Sequence, residues 1–276
     1  MTKKNIGIRP TMLLWCVPPL VAIILLIGFL LNSGSGMKFP REIVLSETTA
    51  NFEDFPKIKL TGHGAITFWF DDAWKSQYDV AFDILDERHI NAALAVPTKL
   101  VGFDAYMDWD QVIKLREKGW EITSHSRSHD CSTDNLDFNS LNEEIEGSKK
   151  DLEAHGIRTN IYLPPCGITS KISNSLVLYH YEYQRLIEAG FNDIPVEDPF
   201  GIKIQEVGRH TTVSDVEKWI RVAQKDNKWL ILMFHQIDND DTRYGIDPVT
   251  YRSIVDLVDN SNIQIVLPTQ ILEKSI

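Results

Sequence analysis

Two histidines four residues apart, in the stretch His125-Ser126-Arg127-Ser128-His129, directly follow the apolar run Trp120-Glu121-Ile122-Thr123. On a single helical turn that spacing puts both side chains on one face, so both rings can reach one cation. Neutral imidazole suits zinc, and a catalytic zinc typically has about three protein ligands and one open position. Upstream, the β-like run Ala65-Ile66-Thr67-Phe68-Trp69-Phe70 ends in two adjacent acids, Asp71 and Asp72. One acid can ligate while the other moves a proton. Downstream, Trp229-Leu230-Ile231-Leu232-Met233-Phe234 ends in His235. Strand-like segments thus deliver reactive groups to one side.

These three stretches, in this order, resemble the motifs of the NodB-type polysaccharide deacetylases, carbohydrate esterase family 4. The first motif of that family ends Thr-Phe-Asp-Asp and corresponds to Thr67 through Asp72; the second, His-Ser/Thr-x-x-His, corresponds to His125 through His129; the last, Leu-x-x-His, corresponds to Leu232 through His235. The resemblance covers about residues 61–270. It implies Asp72, His125 and His129 as ligands of zinc or another divalent metal such as cobalt or nickel. It further implies Asp71 as general base and His235 as the general acid that protonates the departing amine.

The third motif of the family departs from its pattern here. In Tyr162-Leu163-Pro164-Pro165-Cys166-Gly167, Leu163 stands where the family has an arginine and Cys166 where it has a tyrosine, within a retained Pro-Pro-x-Gly backbone. The resemblance makes Pro165 and Cys166 substrate-binding positions, with the Cys166 backbone N–H stabilising the oxyanion. The family arginine orients the base, and Arg209, after Ile204-Gln205-Glu206-Val207-Gly208, is the candidate to replace it from a later strand. Asp193 is the candidate partner of His235. Cys131 and Cys166 both follow strand ends on one face, and three states are open to them: a disulfide, two free thiols, or a soft metal ligand from Cys166.

The elements that must position these residues alternate. Strand-like runs at Ala65 to Phe70, Ala92 to Val96, Trp120 to Thr123, Thr159 to Leu163, Trp229 to Phe234 and Ile263 to Leu267 are separated by helix-like stretches. Apolar residues recur at helical spacing in Tyr78, Ala81, Phe82, Leu85; in Val216, Trp219, Ile220, Ala223; and in Tyr251, Ile254, Val255, Val258. Ser140 with Glu143 and Ser214 with Glu217 read as capping boxes, and Asp247-Pro248 as a cap followed by proline in the first turn. Gly119, Gly156 and Gly190 read as left-handed helix stops, with His89 in the same role. Such β–α recurrence implies a parallel sheet whose reactive groups collect beyond the carboxyl ends of the strands. The family resemblance selects an irregular (β/α) barrel of about seven strands.

Before this domain, residues 12–31 form a charge-free run of twenty residues preceded by Lys3, Lys4 and Arg9. At about 1.5 Å per residue it spans about 30 Å, the thickness of a hydrocarbon core. The basic flank favours a cytoplasmic N-terminus, so the reading is a tail at 1–11, an anchor at 12–31, a stem at 32–60 and an outward-facing domain at 61–276. Cleavage of the segment as a signal peptide is the competing reading. The formal charge of −11 argues against a nucleic-acid partner and is compatible with a neutral amino-sugar polymer. The expected activity is removal of N-acetyl groups from an N-acetylated polysaccharide or oligosaccharide. An O-acetyl esterase or a catalytically silent carbohydrate-binding homologue are the alternatives. Oligomeric state is not encoded in these motifs. Trp74, Tyr106 and Trp109, in or after βα loops, are candidates for stacking on a sugar, weighed against ordinary packing.

Overall fold

The computed structural model describes residues 55–56, 58–132, 135–238 and 243–272. The expected tail, membrane anchor and nearly all of the stem lie outside the described residues. Among the described residues, no helix is long and apolar enough to cross a membrane.

Apolar runs that are buried on both faces favour parallel strands covered by helices. Here β1 (Ala65–Phe70) and β7 (Trp229–Phe234) are buried at every residue and pair in parallel along their whole length, from Ala65 opposite Trp229 to Phe70 opposite Phe234. From β1 the sheet runs through β2 (Ala93–Val96), β3 (Glu121–Ser124), β4 (Ile161–Tyr162), β5 (Tyr183–Ala189) and β6 (Ile202–Val207) to β7, which closes onto β1. The result is a closed parallel barrel of seven strands, as the family resemblance implies. A short β8 (Gln264–Ile265) shares one edge of β1 with β2: it pairs with Ala65 and Ile66, whereas β2 pairs with Trp69 and Phe70.

Strand alternation divides the core in two. Ile66, Phe68 and Phe70 point outward with Leu94, Leu230, Leu232 and Phe234 into the layer shared with the helices. Ala65 and Trp69 point inward with Ala95, Ile161, Ile204, Ile231 and Met233. Thr67 lies within this register, donating to the Val266 carbonyl and accepting from the Trp229 indole, which ties β1 to β7 and β8.

The helices follow the stripes. A π-helical turn (Gln77–Phe82) runs into α1 (Asp83–Asp86), followed by α2 (Trp109–Glu117), α3 (Phe138–Ala154), α4 (Lys171–His180), α5 (Val213–Asp226), α6 (Pro248–Asp259) and α7 (Pro268–Leu272). Two caps differ from expectation. Asp137, not Ser140, caps α3, and Thr212 with Asp215, not Ser214 with Glu217, forms the box of α5. In both cases an earlier residue with a capping side chain takes the extended backbone that the cap requires. Gly119, Gly156 and His89 have positive φ as expected, but Gly190 does not, because it follows a strand rather than a helix. That strand, β5, escapes a reading by apolar periodicity: its buried residues are Gln184 and Arg185, while Ile187 is exposed.

Asp247 accepts hydrogen bonds from the Val249 and Thr250 N–H groups, ahead of Pro248 in the first turn of α6. Asp247→Ala is expected to lower unfolding stability by about 1 kcal/mol in denaturant titration, the usual worth of such a cap, with metal binding unchanged.

Candidate active and metal site

Asp71 extends the inward register of β1 by one more residue, and its N–H continues the ladder by donating to the Phe234 carbonyl at 2.8 Å. Its carboxylate therefore points into the barrel, where the Arg185 guanidinium from β5 donates to both of its oxygens at 2.5 Å. Both side chains are almost wholly buried, and Arg185 also lies over the Trp69 ring at 5.4 Å. Arg185 thus holds the place foreseen for Arg209. Arg209 is exposed after β6, with its backbone N–H on the Arg243 carbonyl. An arginine on the inner face of a strand can reach the barrel axis; one in the loop beyond β6 is directed elsewhere.

At Asp72 the chain turns sharply, with φ of 77° there and 55° at Ala73. This breaks strand alternation and sends the Asp72 carboxylate towards His125 and His129, away from Arg185. Asp72 Oδ1 lies 3.3 Å from His125 Nε2 and 3.1 Å from His129 Nε2. The Trp74 indole N–H donates to Asp72 Oδ2 at 2.9 Å and the indole stacks on Tyr106 at 4.5 Å. Trp74 is thereby a partner of the carboxylate rather than a free platform, and Trp109 is stacked on His155.

The two histidines converge by a route other than the expected helical turn. Ser126 and His129 both have positive φ, 62° and 56°, so residues 125–129 form a loop that folds back on itself. Buried Glu144 of α3 holds this loop by accepting from the Arg127 and Ser128 N–H groups at 3.0 and 2.8 Å. Arg127 adds an ion pair to Asp151 at 2.7 Å. Neither Glu144 nor Asp151 carried a sequence signal, since both read as ordinary helix-surface acids.

His125 Nδ1 is 2.9 Å from the Leu163 carbonyl, a group that can only accept. The proton therefore sits on Nδ1, and Nε2 presents a lone pair to the carboxylate. Asp72 Oδ1 is buried without a hydrogen-bond partner. With the His125 ring neutral, its Nε2 and the Asp72 oxygen face each other lone pair to lone pair, which calls for a cation between them. The separations match the edges of about 3.3 Å expected for ligands about 2.0–2.2 Å from a tetrahedral ion. Asp72, His125 and His129 could accordingly hold a metal ion. Without one, burial alone would raise the Asp72 carboxyl, but the two imidazoles hold it well below the usual carboxylate range. Burial lowers His129, and the Asp72 carboxylate more than offsets this, raising His129 above the ordinary imidazole value.

His235 closes the opposite side, with Nε2 3.8 Å from Asp72 Oδ2 and its ring against Tyr244 at 5.0 Å. Buried Gln77 clamps the two strand ends together, donating to the Asp71 carbonyl at 2.6 Å and the His235 carbonyl at 2.9 Å. Asp193, foreseen as a partner of His235, is instead paired with Lys228 at the start of β7. His235 Nδ1 is buried without a partner among the described residues. In the third motif, Pro165 is buried and Cys166 is exposed with φ of 55°. Of the three states open to the cysteines, Cys131 and Cys166 adopt the disulfide, with Cα atoms 5.6 Å apart.

Residues 59–183 match the model of the polysaccharide deacetylase family. Over these residues, a little under half of the chain, the protein is similar to that family. This deacetylase match contains the two acids, the paired histidines and the third motif, and it stops short of Arg185 and His235. No curated protein matches the chain. Among solved structures, the fold is similar to the Xyl-CE4 domain of a multidomain xylanase from the hindgut metagenome of Trinervitermes trinervoides. That pair has a TM-score of 0.55 and 16% identity over 76% of this chain and 89% of the other. It is also similar to the peptidoglycan deacetylase PdaC from Bacillus subtilis, with a TM-score of 0.50 and 16% identity over 76% of this chain and 90% of the other.

Partners that orient metal ligands typically change affinity by about 10–100-fold when removed. Trp74→Phe keeps the stacked ring but loses the N–H on Asp72, so zinc affinity measured by competitive titration is expected to fall within that range. His129 must be neutral to ligate. Because its pKa is raised in the metal-free chain, affinity is expected to fall as pH drops, beginning above the ordinary imidazole range and losing about tenfold per pH unit below that pKa. A flat affinity profile across that window would exclude His129 as a ligand.

Proposed function

We propose that this polysaccharide deacetylase homologue is a metal-dependent hydrolase that removes N-acetyl groups from amino sugars of a cell-wall or extracellular polysaccharide. The observation that carries the reading is the pairing of a cation site with a separate, charge-balanced carboxylate at the next residue: Asp72 faces two imidazoles while Asp71 faces Arg185. PdaC, described as a peptidoglycan deacetylase, supports the substrate class. The apolar segment at 12–31 supports attachment to a membrane with the domain outside the cytoplasm.

Asp72, His125 and His129 would hold the metal. When bound, a divalent ion such as zinc, cobalt or nickel supplies Lewis acidity that polarises the acetyl carbonyl and makes water easier to deprotonate. Asp71 accepts a proton from the attacking water as the oxygen bonds to the acetyl carbon. Arg185 holds that carboxylate in one orientation throughout. By the family resemblance, the Cys166 backbone N–H, in the strained turn after β4, would donate to the developing oxyanion. His235 gives a proton to the nitrogen as the C–N bond breaks, and acetate and a free amine leave. Tyr244 packs against the His235 ring and limits its movement.

The test is acetate release from N-acetylglucosamine oligomers by the purified full chain, with bound metal quantified in parallel. Asp71→Asn is expected to retain metal and lose activity by about 10²–10⁴-fold, the usual worth of a general base, while His125→Ala loses both. Metal binding with release only from O-acetylated oligomers would replace the amide reading by an ester one. Metal binding without release from either would make the domain a carbohydrate-binding homologue.

A further inference from the structure

A second group of potential ligands lies beside the first. The Sγ atoms of Cys131 and Cys166 and a ring nitrogen of His129 all lie within 4.8 Å of one another. Both cysteines are exposed, and the bond between them joins the histidine loop to the third-motif turn. We propose that reduction of the Cys131–Cys166 disulfide creates a thiolate-rich site for a soft divalent metal ion, formed by Cys131, Cys166 and His129, which competes with the Asp72–His125 site for His129.

The step balances with a dithiol reductant. Two electrons pass to the disulfide, the reductant becomes a cyclic disulfide, and two protein thiols form. Binding of a divalent cation then releases the two thiol protons to solvent. Two thiolates and one imidazole leave a fourth tetrahedral position open to water, and soft sulfur ligands favour zinc, cadmium and cobalt over harder ions. The competition follows from the imidazole itself. A neutral ring carries a proton on one nitrogen and a single lone pair on the other, so His129 serves one cation at a time. Exposure of both cysteine residues gives reductant and metal access to the site, and Glu144 holds the histidine loop in place independently of the disulfide. The inference does not depend on the deacetylation reading, because its readout is absorption rather than acetate.

The experiment titrates the full chain with cobalt(II) before and after treatment with a dithiol that is then removed. Near-ultraviolet sulfur-to-cobalt charge-transfer absorption is expected only in the reduced protein. Cys131→Ser and Cys166→Ser should each diminish it, and His129→Ala should abolish it at subsaturating cobalt. Circular dichroism of the reduced protein should match that of the oxidised protein. Absence of the band from reduced, folded protein would overturn the proposal, as would an undiminished band in His129→Ala. Loss of native circular dichroism on reduction would overturn it as well, since the three ligands would no longer be held together.

Discussion

The site depends on the parallel ladder between β1 and β7. Six consecutive residue pairs lock the register of these strands, and the Asp71 N–H extends the ladder to the Phe234 carbonyl. A slip by one residue would turn every side chain of β1 to the other face. Asp71 would then leave the barrel axis and Arg185, and the Asp72 turn would no longer face the histidine loop. The bulky outward set Ile66, Phe68 and Phe70 and the inward Trp69 make such a slip prohibitive, so packing far below the mouth sets the position of both acids.

Burial imposes a second constraint. Desolvating a carboxylate costs several kcal/mol unless a partner compensates, and removing one member of a buried pair typically costs about 3–5 kcal/mol. Asp71 receives a guanidinium on both oxygens, whereas Asp72 receives two neutral-capable imidazoles and one indole N–H. The same residue type therefore stands in two electrostatic settings one peptide apart. That difference suits the two roles proposed for them, proton acceptor for Asp71 and metal ligand for Asp72.

Residues that support the site come from elements with no reactive motif of their own. Glu144 on α3 satisfies two N–H groups of the histidine loop, Gln77 in the π-helical turn ties β1 to β7, and Trp74 fixes one Asp72 oxygen. π-Helical turns often occur at functional sites. Here the turn begins at Gln77, whose amide reaches the carbonyls of both strand ends.

The amino-acid pattern by itself pointed to a parallel α/β sheet, to the core helices and to Asp71, Asp72, His125, His129 and His235 as reactive groups at strand ends, while the choice of a barrel came from the family resemblance. Each of these is signalled locally, either by a contiguous apolar run or by a short motif at a strand end. What only the tertiary structure decided are relations between distant segments. Arg185 was hidden because β5 buries polar residues and exposes Ile187, which inverts the periodicity that reveals a strand. The disulfide, one of three states compatible with the two cysteines, required the loops after β3 and β4 to meet. The histidine pair was visible, yet its geometry was not: spacing alone suggested a helical turn, while left-handed Ser126 and His129, on either side of the Arg127 and Ser128 N–H groups that Glu144 holds, form a loop. Local chemistry is written in neighbouring residues, but which side chain compensates a buried charge depends on which strands the closed barrel makes adjacent.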